Sequence, residues 1–588
     1  MDIFNVLEML GGLALFLYGM NVLGDNLAKL SGGRLEKILE KLTSNPIKGV
    51  LLGAAVTAAI QSSSATTVMV VGFVNSGIMK LTQAITIIMG ANVGTTITSW
   101  ILSLSGIESD GFFLKLLKPS SFSPILALIG IIFLMFAKKD SKKIIGNILL
   151  GFAILMFGME TMSGAVKPLA NVPEFTGILT MFSNPVLGVI AGALLTAVIQ
   201  SSSASVGILQ ALCVTGSLNY GIVFPIILGQ NVGTCVTAML SSIGASKNAR
   251  RTALVHLYFN IIGVAVFMIA FYTLNIFMDF SFLDDVAGPA GIAFVHSAFN
   301  IGATLILLPF AKGLEKLARL TIRDDERDEK IKNLDKDFMT LDVRFLDQPS
   351  YAIELARNVT VNMAHHSMEC LFRAMKLLEK YDENIAQEVL SIENRVDKYE
   401  DCIGTYLVKL SSKNLSQKDS KILTEMLHCI GDFERISDHA VNILDAAREM
   451  HKKNLEFSNS ANEELKIYTT AIKDIVESTV VVFEENDMKV ASLIEPMEEV
   501  IDNLSDELKN RHIKRLTENK CTIELGFVFS DITTNYERIS DHCSNIAVCL
   551  IEVNANEFET HEYLDNVKHD STDFKEKYNI FKEKYVLP

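Results

Sequence analysis

Two short clusters of amide and hydroxyl side chains lie within otherwise apolar sequence. The first runs from Gln61 to Thr66 as Gln-Ser-Ser-Ser-Ala-Thr, and the second runs from Gln200 to Ser205 as Gln-Ser-Ser-Ser-Ala-Ser. Serine hydroxyls can donate hydrogen bonds to an oxyanion, and they can also accept toward a small cation. Sodium is a hard cation, and hard cations take oxygen ligands. The residue types therefore indicate a site for an anion together with a light metal ion.

The two clusters belong to a sequence repeat with a constant offset of 139 residues. Gly19 pairs with Gly158 and Pro46 pairs with Pro185, and no insertion or deletion is needed over residues 12–100. Polar clusters at matching positions of two apolar repeats are typical of transporters that bind substrate at the repeat interface.

A second repeated segment, Gly90–Thr96 with its mate Gly229–Thr234, adds asparagine and threonine. Glycine weakens a helix, so we predict a loosened stretch of membrane helix that lines a pathway. The alternative is hydrogen bonding between packed helices. The candidate ligands for substrate and sodium are the polar side chains of both segments in both repeats: Gln61, Ser62, Ser63, Ser64, Thr66, Asn92, Thr95, Gln200, Ser201, Ser202, Ser203, Ser205, Asn231 and Thr234.

Helix ends, rather than charged side chains, must supply the anion-binding groups. Residues 51–100 contain one charged residue, Lys80, and residues 184–246 contain none. Where a helix restarts after each glutamine, its first N–H groups have no intrahelical partner and its dipole favours negative charge. The alternative is that small residues only allow close helix packing. Retention of the glutamine and all three serines in both copies favours the binding site.

The elements that position these clusters are membrane helices and two shorter hairpins. Residues 47–78 and 186–217 each contain two apolar arms of about a dozen residues, too short to span a bilayer alone. We predict re-entrant hairpins, whose non-helical tips are tolerated only when buried in protein or beside water. The transport domain is predicted at 1–311, with repeats at about 5–137 and 144–311 and spans at 8–24, 83–105, 122–137, 144–163, 221–243, 253–277 and 288–311.

The number of crossings predicts that the second repeat is inverted. Three crossings separate a position in repeat one from its mate, and an odd number reverses direction. The basic loops at 29–48, 138–143 and 247–251 then share one side, and the acidic loop at 279–285 lies on the other. The positive-inside rule places the basic side and the C-terminal half in the cytoplasm, with the N-terminus outside. Lys115 and Lys118 are exceptions, because this topology places them outside.

The C-terminal half is densely charged and carries most of the net charge of −15. We predict a charged helical linker at 312–345, soluble helical bundles at 346–560 and a tail at 561–588. Carboxylates four residues apart share a helix face, and clustered carboxylates repel unless a cation neutralises them. We therefore predict bound divalent or iron cations, with a solvated acidic face as the alternative. The candidate ligands are four repeated pairs: Glu393, Asp397, Glu434, Asp438, Glu498, Asp502, Glu537 and Asp541.

Other classes of protein find little support in the sequence. The eight cysteines show no paired zinc spacing and fit reduced thiols, and the first residues lack the basic region of a signal peptide. No ATP-binding phosphate loop and no His-Glu-x-x-His pair occurs, and the serine clusters lack a histidine or aspartate partner in the same segment. We therefore expect no enzyme and no nucleic-acid partner.

The paired Gln-Ser-Ser-Ser clusters and Gly-x-Asn-Val-Gly-Thr segments resemble those of the type II sodium/phosphate cotransporters over about residues 5–311. The duplicated Glu-x-x-x-Asp pairs make residues 345–560 similar to a PhoU-type phosphate-signalling domain, a pair of three-helix bundles. The resemblance implies an all-α, polytopic membrane protein with inverted repeats and a cytosolic PhoU-like domain. One departure is that Val206 and Gly207 follow Ser205, where animal members usually continue with threonine and serine.

We therefore predict a sodium-coupled secondary transporter of inorganic phosphate in a bacterial inner membrane, regulated through its PhoU-like domain. Sodium is the co-transported ion, and the lipid bilayer is the surrounding partner. The alternatives are a membrane phosphate sensor or signalling adaptor with little transport, or a phosphate exporter. A cytosolic signalling partner and a homodimer are further expectations.

Overall fold

The computed structural model describes residues 3–31, 45–106, 119–168, 172, 181–323, 336–555 and 572–588. These residues form helices joined by short loops, with no β-strand among them. The all-α class predicted from the sequence is confirmed. The chain divides into two compact units, residues 1–351 and residues 352–588.

The first unit contains six described helices that are long and apolar enough to span a membrane. They match six of the seven predicted spans, and the seventh, at 122–137, overlaps the shorter apolar helix Ser121–Phe136. The helices of this unit are Ile3–Ser31, Pro46–Ile60, Ser63–Asn75, Leu81–Ser103, Pro119–Phe136, Asp140–Val166, Pro185–Ile199, Ser202–Cys213, Tyr220–Gly233, Cys235–Ser241, Lys247–Met278, Pro289–Leu307, Ala311–Thr321 and Lys336–Thr340.

Two glycine pairs show that the repeats are related by a two-fold axis. A Cβ on Gly12 would lie 3.0 Å from the Gly158 carbonyl oxygen, and one on Gly19 would lie 2.7 Å from the Gly151 carbonyl oxygen. Gly151 is the repeat mate of Gly12, and Gly158 is the mate of Gly19. Each contact is therefore the image of the other when the repeats are exchanged. The first glycine of each helix lies against the second glycine of the other helix, so the two helices run antiparallel.

The open ends of the two hairpins lie at opposite ends of one long helix, Lys247–Met278. The backbone N–H of Ser246, just before this helix, donates to Asn75 at the end of the first hairpin (2.8 Å). Beyond the other end of the helix, the N–H of Ala287 donates to the carbonyl of Leu218 at the end of the second hairpin (2.8 Å). A helix of 32 residues is about 48 Å long. The hairpins therefore enter from opposite faces, as the sequence predicts.

Glycines bring the entry arm of each hairpin against a long helix. A Cβ on Gly90 would lie 2.0 Å from the Val50 carbonyl oxygen, and one on Gly229 would lie 2.0 Å from that of Val189. Only glycine permits backbones to approach this closely. The helix Leu81–Ser103 runs unbroken through Gly90–Thr96, so the predicted loosening is wrong in repeat one. In repeat two the helix ends at Gly233 and restarts at Cys235.

The described residues of the predicted linker belong to the first unit. Its first residues continue the last membrane helix, since Ala311–Thr321 is helical with Leu314 and Ala318 buried. The buried Arg251 side chain donates to the carbonyl of Ile322 through Nε and Nη2 (3.0 and 2.7 Å). Residues 324–335 of the predicted linker lie outside the described residues.

The second unit consists of two three-helix bundles followed by a short helix. The first bundle is formed by Pro349–Glu379, Glu383–Ser411 and Gln417–Lys453, and the second by Asn459–Glu485, Met488–Thr517 and Ile523–Ala555. The rings of His439 and His542, which occupy matching positions of the duplicated motif, lie 5.6 Å apart. Of the predicted tail, the structure describes the helix Thr572–Lys584.

Candidate functional site

Each hairpin is broken at its glutamine. Gln61 and Gln200 end their entry arms in the left-handed conformation, with φ of 60° and 58°. The next residues, Ser62 and Ser201, are extended, and each serine hydroxyl caps the return arm by accepting from an N–H three residues ahead (3.2 Å). A non-glycine residue seldom adopts the left-handed region, and both repeats do so at the same position. The predicted helix breaks at the two tips are therefore present.

The two tips meet inside the first unit. The Ser64 hydroxyl lies 3.5 Å from the Gln200 carbonyl oxygen, although the two residues are 136 positions apart. Ser63 and Ser202 are the first residues of their return arms, and both are buried. The positive ends of two helix dipoles therefore converge at this contact, and none of the side chains of the two tips is charged.

The polar side chains of the first tip bond to one another. The Thr57 hydroxyl donates to the Thr66 hydroxyl (3.1 Å), which donates to the Ser62 carbonyl (3.0 Å). The Thr98 hydroxyl donates to Gln61 Oε1 (3.0 Å). In repeat one, therefore, these oxygens already have hydrogen-bond partners, although the buried hydroxyl of the neighbouring Thr67 has none among the described residues.

The matching oxygens of the second tip have no partners among the described residues. Thr196, Ser205 and Thr237 are the mates of Thr57, Thr66 and Thr98, and each has a buried hydroxyl without a hydrogen bond. Gln230, where repeat one has Ala91, donates to the Ser205 carbonyl (3.1 Å) and leaves its own buried Oε1 unpaired. A buried polar atom without a partner is unfavourable by about 1–3 kcal/mol. Hydroxyl and amide oxygens of this kind are ligands that a hard cation accepts.

The predicted asparagines and threonines of the second segment lie against their own helices. Asn92 and Asn231 each donate to the carbonyl four residues earlier (3.1 and 2.9 Å). Thr95 and Thr234 also donate to carbonyls of their own turn (3.0 and 2.6 Å). One donor of each side chain is therefore used locally, and the pathway lining and its alternative of interhelical bonding both stay predictions.

Sequence reasoning missed five residues around the tips: Thr57, Thr98, Thr196, Thr237 and Gln230. The four threonines obey the 139-residue offset, so the repeat itself could have revealed them. Gln230 breaks the repeat and is fully buried in an apolar helix, which is an unusual place for an amide.

In the second unit, three of the four predicted carboxylates converge in each bundle. Glu393, Asp397 and Asp438 form one group, and Glu498, Asp502 and Asp541 form another, with ligand oxygens within 4.8 Å of one another. Oxygen-rich groups of this kind suit hard cations. The remaining predicted ligands, Glu434 and Glu537, lie outside the two groups.

The electrostatics of the two groups differ at these remaining carboxylates. Burial, and then the charge of Asp438, raise the pKa of Glu434 to about 7. Burial also acts on Glu537, but hydrogen bonds from Lys509 Nζ and the Ser505 hydroxyl (2.6 and 2.7 Å) outweigh it and lower the pKa. Lys509 thus bonds to Glu537, whereas Glu434 lies beside Asp438 of the first group with a raised pKa.

Comparison with known proteins agrees with this division of the chain. Residues 15–164 and again residues 154–283 match the Na+/Pi-cotransporter family, and residues 360–447 and 467–550 match the PhoU domain. The N-terminal half is a Na+/Pi-cotransporter domain, and the C-terminal half carries two PhoU repeats. The overlapping double match to the cotransporter family reflects the two repeats described above.

Curated relatives match this chain either over nearly its full length or over a shorter stretch. The chain is 24% identical over 568 residues to "Putative inorganic phosphate export protein YjbB" of Salmonella typhimurium, which covers 95% of this chain and 100% of that protein. Over 99 residues it is 40% identical to "Sodium-dependent phosphate transport protein 2A" of Rattus norvegicus, which covers 16% of this chain and 15% of that protein. The solved structure of PhoU from Pseudomonas aeruginosa is 20% identical, covering 34% of this chain and 97% of that chain with a TM-score of 0.33.

Proposed function

We propose that this protein is a sodium-coupled secondary transporter of inorganic phosphate. The observation that carries the proposal is the meeting of two helix restarts beside a set of unpaired oxygens. The 3.5 Å contact between Ser64 and the Gln200 carbonyl brings the two return arms together, and Thr196, Ser205, Gln230 and Thr237 supply the oxygens.

Phosphate binds between the two return-arm N-termini in this proposal. The first N–H groups of each helix lack intrahelical acceptors, and Ser63, Ser64, Ser202 and Ser203 add hydroxyl donors. A tetrahedral oxyanion can accept from donors on both sides at once. Because no fixed positive side chain is present at the tips, phosphate gains less there than it would from arginine, and a cation must assist.

Sodium supplies that assistance from the oxygens of repeat two. A sodium ion bound there satisfies hydroxyl and amide oxygens that otherwise lack partners, and its charge offsets the desolvation of phosphate. Binding of each ion therefore favours binding of the other, which is the coupling that a symporter requires. The oppositely facing hairpins allow one repeat to open while the other closes.

The PhoU-like unit regulates transport from the cytosol, and the protein works without catalysis in a bacterial inner membrane. The name of the Salmonella relative and the name of the rat relative support phosphate as the substrate, and the latter supports sodium as the coupling ion. The acidic groups of the two bundles hold divalent or iron cations in this proposal. The Glu434 pKa, raised to about 7 by burial and then by the charge of Asp438, supports a site whose negative charge a cation would neutralise. A cytosolic signalling protein and a second copy of the chain are the partners we propose.

The decisive experiment measures phosphate flux in proteoliposomes with sodium gradients imposed in each direction. The double variant Ser63→Ala and Ser202→Ala should abolish sodium-stimulated flux, because it removes one hydroxyl from each tip. Ser76→Ala, which makes the same change at the far end of the first return arm, should keep flux near the wild-type rate. Undiminished flux in the double variant would exclude the tips from the mechanism.

The same experiment separates the alternatives. Flux that responds only to an outward phosphate gradient would make the protein an exporter. Phosphate binding without flux in either direction would make it a sensor or adaptor whose PhoU-like unit reports occupancy.

A further inference from the structure

A short segment of the first unit, residues 342–351, packs against the far end of the first return arm. We call it the clasp. It contains the 3-10 helix Val343–Asp347 and the first residues of the helix Pro349–Glu379. The return arm, Ser63–Asn75, is the helix whose N-terminal residues form the first tip.

Aromatic packing holds the clasp on the arm. Phe345 is fully buried, and its ring centroid lies 5.3 Å from that of Phe73 on the arm. Tyr351 meets both rings edge-on, at 5.4 Å from each. Three mutually packed aromatic rings make a rigid contact, because their geometry fixes each ring against the other two.

Hydrogen bonds hold Asn75, at the end of the arm, from two sides. Asn75 Nδ2 donates to Asp342 Oδ2 (2.6 Å), and Asn75 Oδ1 accepts from the N–H of Ser246 (2.8 Å). Arg344 pairs with Asp342 and donates to the Ser241 carbonyl (2.6 and 2.8 Å). The end of the arm is therefore fixed between the clasp and the 241–246 loop.

The contact is specific to repeat one. A Cβ on Gly72 would lie 2.8 Å from the Phe345 ring, so only glycine leaves room for it, and the repeat mate of Gly72 is Ala211. The mate of Asn75 is Val214, which cannot make the two hydrogen bonds. The sequence of repeat one thus departs from that of repeat two at the residues that receive the clasp.

We propose that the clasp is a positioning element for transport: it sets the position of the return arm and thereby the accessibility of the Ser63–Ser64 tip. A helix of 13 residues is about 20 Å long and moves as a rigid body, so a shift at Asn75 is carried to Ser63. The helix that contributes Tyr351 continues beyond residue 351 into the second unit, so the clasp and the second unit share one helix. This inference rests on the proposed function for its link to transport, but not for its effect on tip accessibility.

The test measures tip accessibility directly. Ser64→Cys is introduced into the full chain after the exposed or partly exposed Cys402, Cys521 and Cys549 are replaced by serine, and its rate of labelling by a maleimide is followed. Phe345→Ala should change that rate by about fivefold or more, the usual size of coupling between linked sites. Val343→Ala, an exposed neighbour on the clasp, should leave the rate unchanged.

Two further variants protect the test against a simple folding defect. Gly72→Ala wedges the Phe345 ring and should shift labelling, whereas the added effect of Gly72→Ala in the Phe345→Ala background should disappear. Its mirror, Ala211→Gly in repeat two, should have no effect. If folded Phe345→Ala and Gly72→Ala proteins label at the rate of Val343→Ala, the clasp does not position the tip.

Phosphate flux distinguishes this inference from the proposed function. Altered labelling together with altered flux supports both. If labelling of the Ser64→Cys protein changes but the protein with native Ser64 shows no flux, the clasp is supported and transport is overturned. Wild-type labelling alongside sodium-driven flux overturns the clasp alone.

Discussion

The asymmetry between the two tips allows a paired test of the sodium site. Thr98 and Thr237 are repeat mates, yet Thr98 donates to Gln61 (3.0 Å) whereas the buried Thr237 hydroxyl has no partner among the described residues. Valine has nearly the shape of threonine, so Thr→Val at each position removes a hydroxyl with little change in packing. The two variants should therefore behave differently.

Without sodium, Thr98→Val should lose about 1–3 kcal/mol of unfolding free energy, because Gln61 Oε1 loses its donor in a buried site. Thr237→Val should lose nothing and gain up to about 1 kcal/mol, since it removes a buried hydroxyl that makes no hydrogen bond. With sodium present, the effect of Thr237→Val on the unfolding free energy reverses sign, because the variant lacks a sodium ligand. Loss of one ligand worth about 1–3 kcal/mol weakens sodium binding by roughly 5- to 150-fold.

The assay is thermal unfolding of purified protein in detergent across a sodium titration, with potassium replacing sodium to keep ionic strength constant. A bound ion stabilises by RT ln(1 + [Na+]/Kd), about 2.7 kcal/mol at a concentration of 100 Kd. The Thr237→Val titration should move to higher sodium concentration while that of Thr98→Val keeps the wild-type midpoint. If Thr237→Val retains wild-type sodium dependence, or destabilises the sodium-free protein as much as Thr98→Val, its hydroxyl is not a ligand and the reasoning is refuted.

Two further predictions concern the two-fold contact and the acidic bundle. Gly19→Val should destabilise the protein by about 3 kcal/mol, because its Cβ would lie 2.3 Å from a backbone nitrogen. Gly158→Val should have the same effect by symmetry. Gly11→Val, with open space around it, should not change thermal unfolding. The raised Glu434 pKa of about 7 means that the folded state binds this proton more tightly than the unfolded state, whose carboxyl titrates near 4.5. Denaturant unfolding in a chelator should therefore show stability falling as pH rises from about 4.5 to about 7, with Asp438→Asn reducing the fall and added manganese reversing it above pH 7; a flat pH profile would contradict this account.

The sequence was sufficient to predict the hairpins because their arms are too short to span a bilayer. Proline begins each entry arm, glutamine ends it and a serine caps the return arm, so the local chemistry specifies these boundaries. The three predicted spans between repeat mates likewise predicted inversion, because an odd number of crossings reverses direction.

Other features could not be predicted from the repeat, because matching residues need not have matching contacts. The glycines at Gly90 and Gly94 indicated a loosened helix, but they instead admit the backbone of the entry arm, a partner that periodicity does not reveal. Likewise, Glu537 was predicted as a ligand by its spacing, whereas Lys509 on another helix bonds to it. Such outcomes depend on neighbours that are distant in sequence.

The left-handed backbone at Gln61 and Gln200 narrows the choice of residue at these positions. Glycine would relax the backbone but would lose the amide that accepts from Thr98 in repeat one. Asparagine tolerates the same φ well, yet its amide is one methylene too short to reach that far, and β-branched residues clash in this conformation. Directed replacement of Gln61 thus has no neutral option: glycine and asparagine keep the bend but give up the reach of the side chain, and β-branched residues give up the bend.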